Sequence, residues 1–125
     1  MPKSISMIDT PLMRGLERVL DISAFRHQVI ASNLATVDTP GYRTRDVHPF
    51  AGEIEQAMAG DEAPFAPAAQ EIRGLLERPD GNNISVERES LLLAENQLRF
   101  QVAAQFLKAE FHRLTSAING GGTTS

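Results

Sequence analysis

The chain has 125 residues, a net charge of −4 at pH 7 and no cysteine. The length allows one domain at most, and the scattered basic residues exclude a nucleic-acid footprint, which needs clustered lysine and arginine. The missing cysteines exclude disulfides, thiolate metal sites and thiol catalysis. With 6% aromatic residues, nine glycines and seven prolines the core is modest, so neighbours in an assembly would supply burial that the monomer lacks.

A long helix is predicted close to the start of the chain. Residues 1–8 form an arm that is apolar enough to dock on another surface. Asp9 or Thr10 is the expected cap, because Pro11 suits the first position of a helix, and the helix is expected to end at residues 33–35. Its apolar stripe repeats in fours and threes, the spacing of a helix that pairs with another. The stripe consists of Leu16, Leu20, Ile30 and Leu34, with Ser23 and His27 as polar interruptions.

The stretch after this helix predicts a turn with a fixed change of direction. Pro40 cannot donate a backbone hydrogen bond, and its ring pushes Thr39 toward extended geometry. Pro40 and Gly41 suit the centre of a β-turn, because glycine tolerates a positive φ. Asp38 and Thr39 are expected to bond nearby amides through their side chains, and Tyr42 to anchor the exit with its ring and hydroxyl. Thr-Pro-Gly-Tyr alone also fits an ordinary helix end followed by a turn.

The middle of the chain, residues 46–84, has no strong period and is interrupted by glycine and proline. A short helix is expected over 53–59, and residues 70–77 fit either a strand or a turn of helix. Compact domains seldom contain so long a loop. We therefore expect an excursion that becomes ordered against neighbouring subunits, with a plain flexible insertion as the alternative.

A second long helix is predicted from a cap at Ser85 to about residue 118, with Glu87 and Glu89 placed to favour its dipole. Its main stripe, broken only by Gln97, consists of Leu93, Phe100, Ala104, Leu107, Phe111, Leu114 and Ile118. A second row flanks it and consists of Leu91, Leu98, Val102, Phe106 and Ala109. Two helices cannot bury both rows, so the pattern is typical of a helix in a multi-chain bundle.

No constellation for catalysis, cofactor binding or metal binding stands out. The histidines, which lack the spacing of metal ligands, are His27, His48 and His112. No serine sits in a Gly-x-Ser-x-Gly elbow, and the glycines at 120–122 lack the strand and lysine of a phosphate loop. Arg43 and Arg45 are expected to form a salt-bridged loop with Asp46. We expect neither a metal nor a cofactor, and no enzymatic activity.

The string over residues 32–42 reads Ser-Asn-Leu-Ala-Thr-Val-Asp-Thr-Pro-Gly-Tyr and closes a long helix. It resembles the signature of the axial proteins of the bacterial flagellum, the family that builds rod, hook and hook cap. Residues 29–33, 43–47 and 94–101 narrow the resemblance to the proximal-rod members. Small departures at Ser32, Thr36 and Phe100, where asparagine or tyrosine is frequent in the family, leave the resemblance in place.

The resemblance covers about residues 12–47 and 82–118, and it implies a mainly α fold. Residues 1–45 and 85–125 would form one helical domain around an irregular, partly β middle at 46–84. The terminal helices would pair as a coiled-coil-like layer, with the two main stripes as assembly seams. The signature turn would consist of Asn33, Asp38, Thr39, Pro40, Gly41 and Tyr42.

The resemblance also implies a function. The chain would be a structural subunit of the proximal rod, part of the drive shaft from the MS ring and export gate to the distal rod and hook, and needed for motility. Its partners would be other rod subunits, the adaptor between rod and MS ring, and the export gate, with no nucleic acid and no insertion into the membrane. It would be exported without a cleaved signal peptide and assemble in the periplasm. A small helical export chaperone or adaptor is the alternative.

Overall fold

The structure, a computed structural model, describes residues 10–47, 51–60 and 65–120. Its elements are α1 (Pro11–Ala35), β1 (Arg45–Val47), α2 (Ala51–Met58), β2 (Ala69–Glu71) and α3 (Val86–Asn119). The predicted fold, with two long terminal helices and a largely irregular middle, is confirmed. The predictions for residues 1–8, Asp9, His48 and the glycines at 121–122 lie outside the described residues.

Both long helices begin where the sequence places their caps. The Thr10 hydroxyl accepts a hydrogen bond from the amide of Met13 at 3.1 Å, and Pro11 follows at the first helical position. The Ser85 hydroxyl likewise accepts from the amide of Arg88 at 3.1 Å. Each cap satisfies one of the amides that the first helical turn leaves without an intrahelical partner.

α1 and α3 pack against each other in antiparallel directions. The end of α1 near Asn33 meets the start of α3 near Glu89, and the start of α1 near Thr10 meets Glu110. The core between and around these helices is small: Met13, Ile22, Val29, Ile30, Ala57, Ile84 and Ala103 are its buried apolar residues. A core of this size agrees with the modest burial expected from composition.

The short helix α2 docks on the first half of α1. The guanidinium of Arg14 donates to the backbone carbonyls of Ala57, at 3.0 Å, and Met58, at 2.8 Å. These carbonyls lie in the last turn of α2, where a cation caps groups that lack an intrahelical donor. Gly15 leaves room for the Met58 side chain, because a Cβ there would lie 2.7 Å from Met58 Cγ.

The β elements are one short antiparallel pair. β1 and β2 align with Arg45 opposite Glu71 and Val47 opposite Ala69. Before β2, the ring of Phe65 lies under the guanidinium of Arg18 at 4.8 Å, a cation–π contact that holds this segment against α1. The middle of the chain therefore folds back onto the helix pair at both α2 and the sheet.

The prediction that Arg43 and Arg45 form salt bridges with Asp46 is wrong. Asp46 is buried and accepts two hydrogen bonds from Arg26 of α1, at 3.0 and 2.9 Å. Arg43 instead pairs with Glu71 and Glu77 across the surface. The planar guanidinium of Arg26 matches both carboxylate oxygens, and sequence proximity does not reveal a partner twenty residues away.

Candidate assembly surface and signature turn

The signature turn has the β-turn geometry that the sequence predicts. The amide of Tyr42 donates to the carbonyl of Thr39 at 3.2 Å, and Gly41 between them has a φ of 75°. This is the positive φ that the second central position of a type II turn requires. The side chains of Asp38 and Thr39, expected to bond local amides, make no hydrogen bond within the described part of the chain.

A second loop fastens this turn from outside. Asn82 is fully buried, and its side-chain amide donates to the carbonyls of Thr36, at 3.0 Å, and Thr39, at 2.8 Å. Its side-chain oxygen accepts from the amide of Ile84 at 2.8 Å. One side chain therefore satisfies three backbone groups in two loops, where no helix or strand provides hydrogen-bond partners. We name residues 36–44 and 78–85 together the clasp.

Asn83 repeats the arrangement on the far side of the turn. Its side-chain oxygen accepts from the amide of Thr44 at 2.6 Å and from the Thr44 hydroxyl at 2.9 Å. Where the two loops meet, the amide of Gly41 donates to the carbonyl of Asp80 at 2.8 Å. A Cβ on Gly81 would lie 3.2 Å from Gly41 Cα, so the close approach of the two backbones depends on glycine at position 81.

Asn33 connects the turn to the helix pair. It is fully buried, and its side-chain amide donates to the carbonyl of Arg45 and to the carboxylate of Glu89, each at 2.8 Å. Its side-chain oxygen accepts from the amide of Arg45 at 3.2 Å. Glu89 is also fully buried and accepts a further bond from Arg88 at 2.8 Å. These contacts fix α1, β1 and α3 to one another at the end of α1.

The face that α3 turns toward α1 is largely polar. Its buried residues are Glu89, Asn96, Ala103 and Glu110, spaced by seven. Asn96 donates to the Ser23 carbonyl at 2.7 Å, and Glu110 accepts from the Thr10 hydroxyl at 3.5 Å. A repeat of seven keeps these residues on one line facing a partner helix. We name this line the polar seam.

Both apolar rows of α3 flank the polar seam and leave large side chains exposed. The exposed large side chains of the second row are named row one, and they are Leu91, Leu98, Val102 and Phe106. Those of the main stripe are named row two, and they are Phe100, Phe111 and Ile118. Leu91, Leu98 and Phe106 expose 61%, 62% and 60% of their surface. At 3.6 residues per turn the two rows lie on roughly opposite sides of the helix. The prediction that a single helix pair cannot bury both rows is confirmed.

A cleft of about 400 Å³ lies beside each row, between α3 and α1. The cleft beside row one includes Leu16 and Val19 of α1, and the cleft beside row two includes Ser23, His27 and Asn96. His27, an interruption in the predicted stripe of α1, is exposed at the edge of this second cleft. These clefts and rows are the exposed apolar surface that another chain could cover.

The predicted seam residues fall into three classes. Ile30 is buried. The half-buried members are Leu16, Leu20, Leu34, Leu93, Leu107 and Leu114. The exposed members are Phe100, Phe111 and Ile118. The monomer thus uses part of each stripe and leaves part uncovered, and a role for these residues in assembly stays a prediction.

In the signature turn, Asn33 is buried, Tyr42 is half-buried, and Asp38, Thr39, Pro40 and Gly41 are exposed. Thr36, outside the predicted set, completes the end of α1: its hydroxyl donates to the carbonyl of Ser32 at 2.8 Å. The Tyr42 hydroxyl, expected to bond, has no partner among the residues that the structure describes. The turn is therefore held by its backbone and by Asn82, rather than by its own side chains.

Sequence reasoning missed two parts of the site. No local pattern reveals that the side chains of Asn82 and Asn83 bond a loop about forty residues away. Glu89 was interpreted as a charge for the helix dipole, yet it is buried. For the polar seam a signal exists, because Glu89, Asn96 and Glu110 share one heptad position, but apolar stripes dominate the reading of a helix.

Glu110, at one end of the polar seam, forms an ion pair with Arg113 of the next turn. A hydrogen bond from Arg113 holds the pKa of the Glu110 carboxyl below its ordinary value, against an opposing effect of burial. The Arg113 guanidinium lies 2.8 and 3.0 Å from the two carboxylate oxygens. The carboxylate is thus kept ionised next to the cap of α1.

Within residues 10–47, 51–60 and 65–120, no group of three or more histidine, aspartate or glutamate side chains is placed to hold a metal ion. No helix in that part of the chain combines the length and the apolarity needed to cross a membrane. The described candidate site is the exposed apolar surface along α3, with the signature turn near the start of that helix.

Comparison with known proteins finds relatives that are similar to this chain over most of its length. The chain is 26% identical to "Flagellar basal body rod protein FlgB" of Salmonella typhimurium, over 87% of this chain and 94% of that protein. It is 25% identical to the Bacillus subtilis protein of the same name over the same shares, and 28% identical to that of Aeromonas hydrophila over 81% and 87%. The resemblance to FlgB is confirmed. No family model matches the chain.

The match to the FlgB proteins extends well beyond the signature turn, because it covers 87% of the chain. The FlgB proteins of organisms as different as Salmonella and Bacillus are matched at similar identity. The resemblance therefore rests on the layout of the whole chain, and the name places these relatives in the rod of the flagellar basal body.

Proposed function

We propose that this chain is a structural subunit of the flagellar basal-body rod, in its proximal part, and not an enzyme. The observation that carries the proposal is the similarity to FlgB rod proteins over most of both chains. The described fold supports it physically. Large apolar side chains stand exposed along α3 while polar groups fill the helix seam, which is the arrangement of a subunit completed by its neighbours.

In this role the chain forms part of the drive shaft that links the MS ring and export gate to the distal rod and hook, and motility depends on it. Its partners are other rod subunits, the adaptor between rod and MS ring, and the export gate. It reaches the periplasm through the flagellar export channel without a cleaved signal peptide. The predicted seam and signature-turn residues that the monomer leaves exposed or half-buried form its contacts in the rod.

We also propose that residues 1–45 and 85–125 act as one helical domain and 46–84 as an excursion from it. The antiparallel pairing of α1 with α3 supports the helical domain. Docking of α2 through Arg14 supports an excursion that folds back on the domain rather than a free insertion.

The test is a deletion strain complemented with the tagged chain. We expect the deletion to abolish swimming, the tagged chain to restore it, and the tag to copurify with basal bodies and label the rod in electron micrographs. A tagged chain that stays in the cytoplasm as a stoichiometric complex with another exported protein would instead identify an export chaperone. Normal swimming of the deletion strain would also contradict the proposal.

A further inference from the structure

We propose that row one of α3 packs against row two and its cleft on a second copy of this chain lying in the same direction. This inference rests on the proposed function and adds which surfaces meet. The contact is heterologous, since different patches of the two copies face each other, and such contacts repeat into an open array. The polar seam would then hold the monomer together, and the apolar rows would join the copies.

The placement of the rows is the first argument for a second copy. Both rows lie on one helix, on opposite sides, and they overlap along its length between Phe100 and Phe106. A neighbour shifted sideways without rotation brings its row one against row two of the first copy. One chain therefore provides both halves of the contact, and no foreign partner is needed.

Hydrogen bonding gives an independent argument. Asn96 lines the cleft beside row two and is 3% exposed. Its amide nitrogen must face the Ser23 carbonyl, which only accepts, so its side-chain oxygen points elsewhere. That oxygen is buried and has no hydrogen-bond partner in the described part of the chain.

The matching donor lines the cleft on the other side of the polar seam. Arg99 is exposed and lines the cleft beside row one, and it makes no hydrogen bond or ion pair within the residues that the structure describes. A guanidinium carries five donors on a long side chain. In the proposed contact, Arg99 of one copy donates to the Asn96 oxygen of the next, so an unused donor meets an unused acceptor.

The exposed area is sufficient for such a contact. Each of the seven large side chains in the two rows exposes between 41% and 62% of its surface, which is roughly 100 Å² apiece. Covering both rows would bury roughly 700 Å² of apolar surface. Because interfaces are about three-fifths apolar, the whole contact would reach the roughly 1,000 Å² expected of a specific interface.

Engineered cysteines test the contact directly, since the chain has none of its own. Glu95→Cys marks the side of row one, and His27→Cys marks the cleft beside row two. Both positions are exposed polar residues, so the apolar rows stay intact. The two variants, carrying different tags, are concentrated under mild oxidation, alone and mixed. Lys108→Cys, an exposed position on the solvent side of α3 that belongs to neither row, replaces Glu95→Cys in the control mixture.

We expect cross-linking in the mixture of Glu95→Cys with His27→Cys, none in either variant alone, and a ladder of oligomers from the chain carrying both changes. Leu98→Asp should abolish the cross-link while circular dichroism shows an unchanged monomer, because Leu98 is exposed there. Arg99→Gln should weaken the cross-link, and Arg99→Lys should restore part of it.

Self-cross-linking of Glu95→Cys alone would mean a symmetric contact and would overturn the proposal. So would a mixture that cross-links no faster than the Lys108→Cys control. If the tagged chain still copurifies with basal bodies in either case, only the contact is wrong and the rod function stands. If the chain is absent from basal bodies, the proposed function itself fails, whatever the cysteines show.

Discussion

The clasp buries polar side chains, whereas the two rows of α3 leave apolar side chains exposed. In the clasp, asparagine and threonine side chains are buried and bonded to backbone groups. Along the rows, leucine and phenylalanine side chains face solvent. In this monomer, polar hydrogen bonds therefore define which segments meet in the fold, and much of the hydrophobic surface stays unburied. Buried polar groups define one geometry but add little net stability, so such a fold is precise without being very stable.

The largest expected effect comes from removing the centre of the clasp. Asn82→Ala leaves two carbonyls and one amide without their bonded partner, at about 1–3 kcal/mol each when they stay buried. We expect a loss of about 3–5 kcal/mol in the free energy of unfolding, measured by urea denaturation followed by circular dichroism. Asn119→Ala, at the exposed end of α3, is the control and should change little. Similar losses in the two variants would show that the clasp does not govern stability.

Leu107→Asp tests the apolar side, in the main stripe of α3 that also contains row two. Leu107 is half-buried in the monomer and belongs to the predicted seam. A carboxylate there is expected to cost about 2–3 kcal/mol of monomer stability and to prevent rod formation, leaving free monomer in cell fractions. Lys108→Gln, next to it but exposed, should assemble normally. Basal bodies with full-length rods and hooks in the Leu107→Asp strain would exclude the main stripe of α3 from the assembly contacts.

The third test separates backbone strain from crowding within the clasp. Gly41 and Gly81 both have positive φ, 75° and 86°, but only Gly81 would place a Cβ 3.2 Å from another backbone atom. Gly41→Ala should therefore cost about 1–2 kcal/mol from strain alone, and Gly81→Ala more. Thermal unfolding of the two variants measures the difference. Equal costs would mean that the approach of the two loops relaxes freely.

The smallest effect concerns pH at the far end of the polar seam. Because the pKa of Glu110 is lowered in the folded chain, its contribution to stability is present above the ordinary glutamate value of 4.5 and is lost as the pH falls through the lowered pKa. Glu110→Gln should remove that part of the acid sensitivity. Melting temperatures between neutral pH and acid would show it as a shallower slope. An unchanged slope would mean that Arg113, which is largely exposed, contributes nothing.

The sequence predicts the local parts of this protein well. The caps at Thr10 and Ser85, the ends of both helices and the positive φ at Gly41 follow from residue chemistry within a few positions. Such features depend on which backbone conformations a residue allows and on bonds to near neighbours. The two apolar rows of α3 are equally local, since a helical period places them without knowledge of any partner.

Only the tertiary structure decides what those rows and turns face. The sequence pattern gives no reason to choose Glu89, Asn96 and Glu110 over the leucines as the line that meets α1. The choice depends on the direction in which α1 arrives, and that direction is fixed by Asn33, Asn82 and Asn83 through bonds to distant segments. Side-chain amides bond any backbone group that comes within reach, so their partners follow from the fold rather than from spacing along the chain.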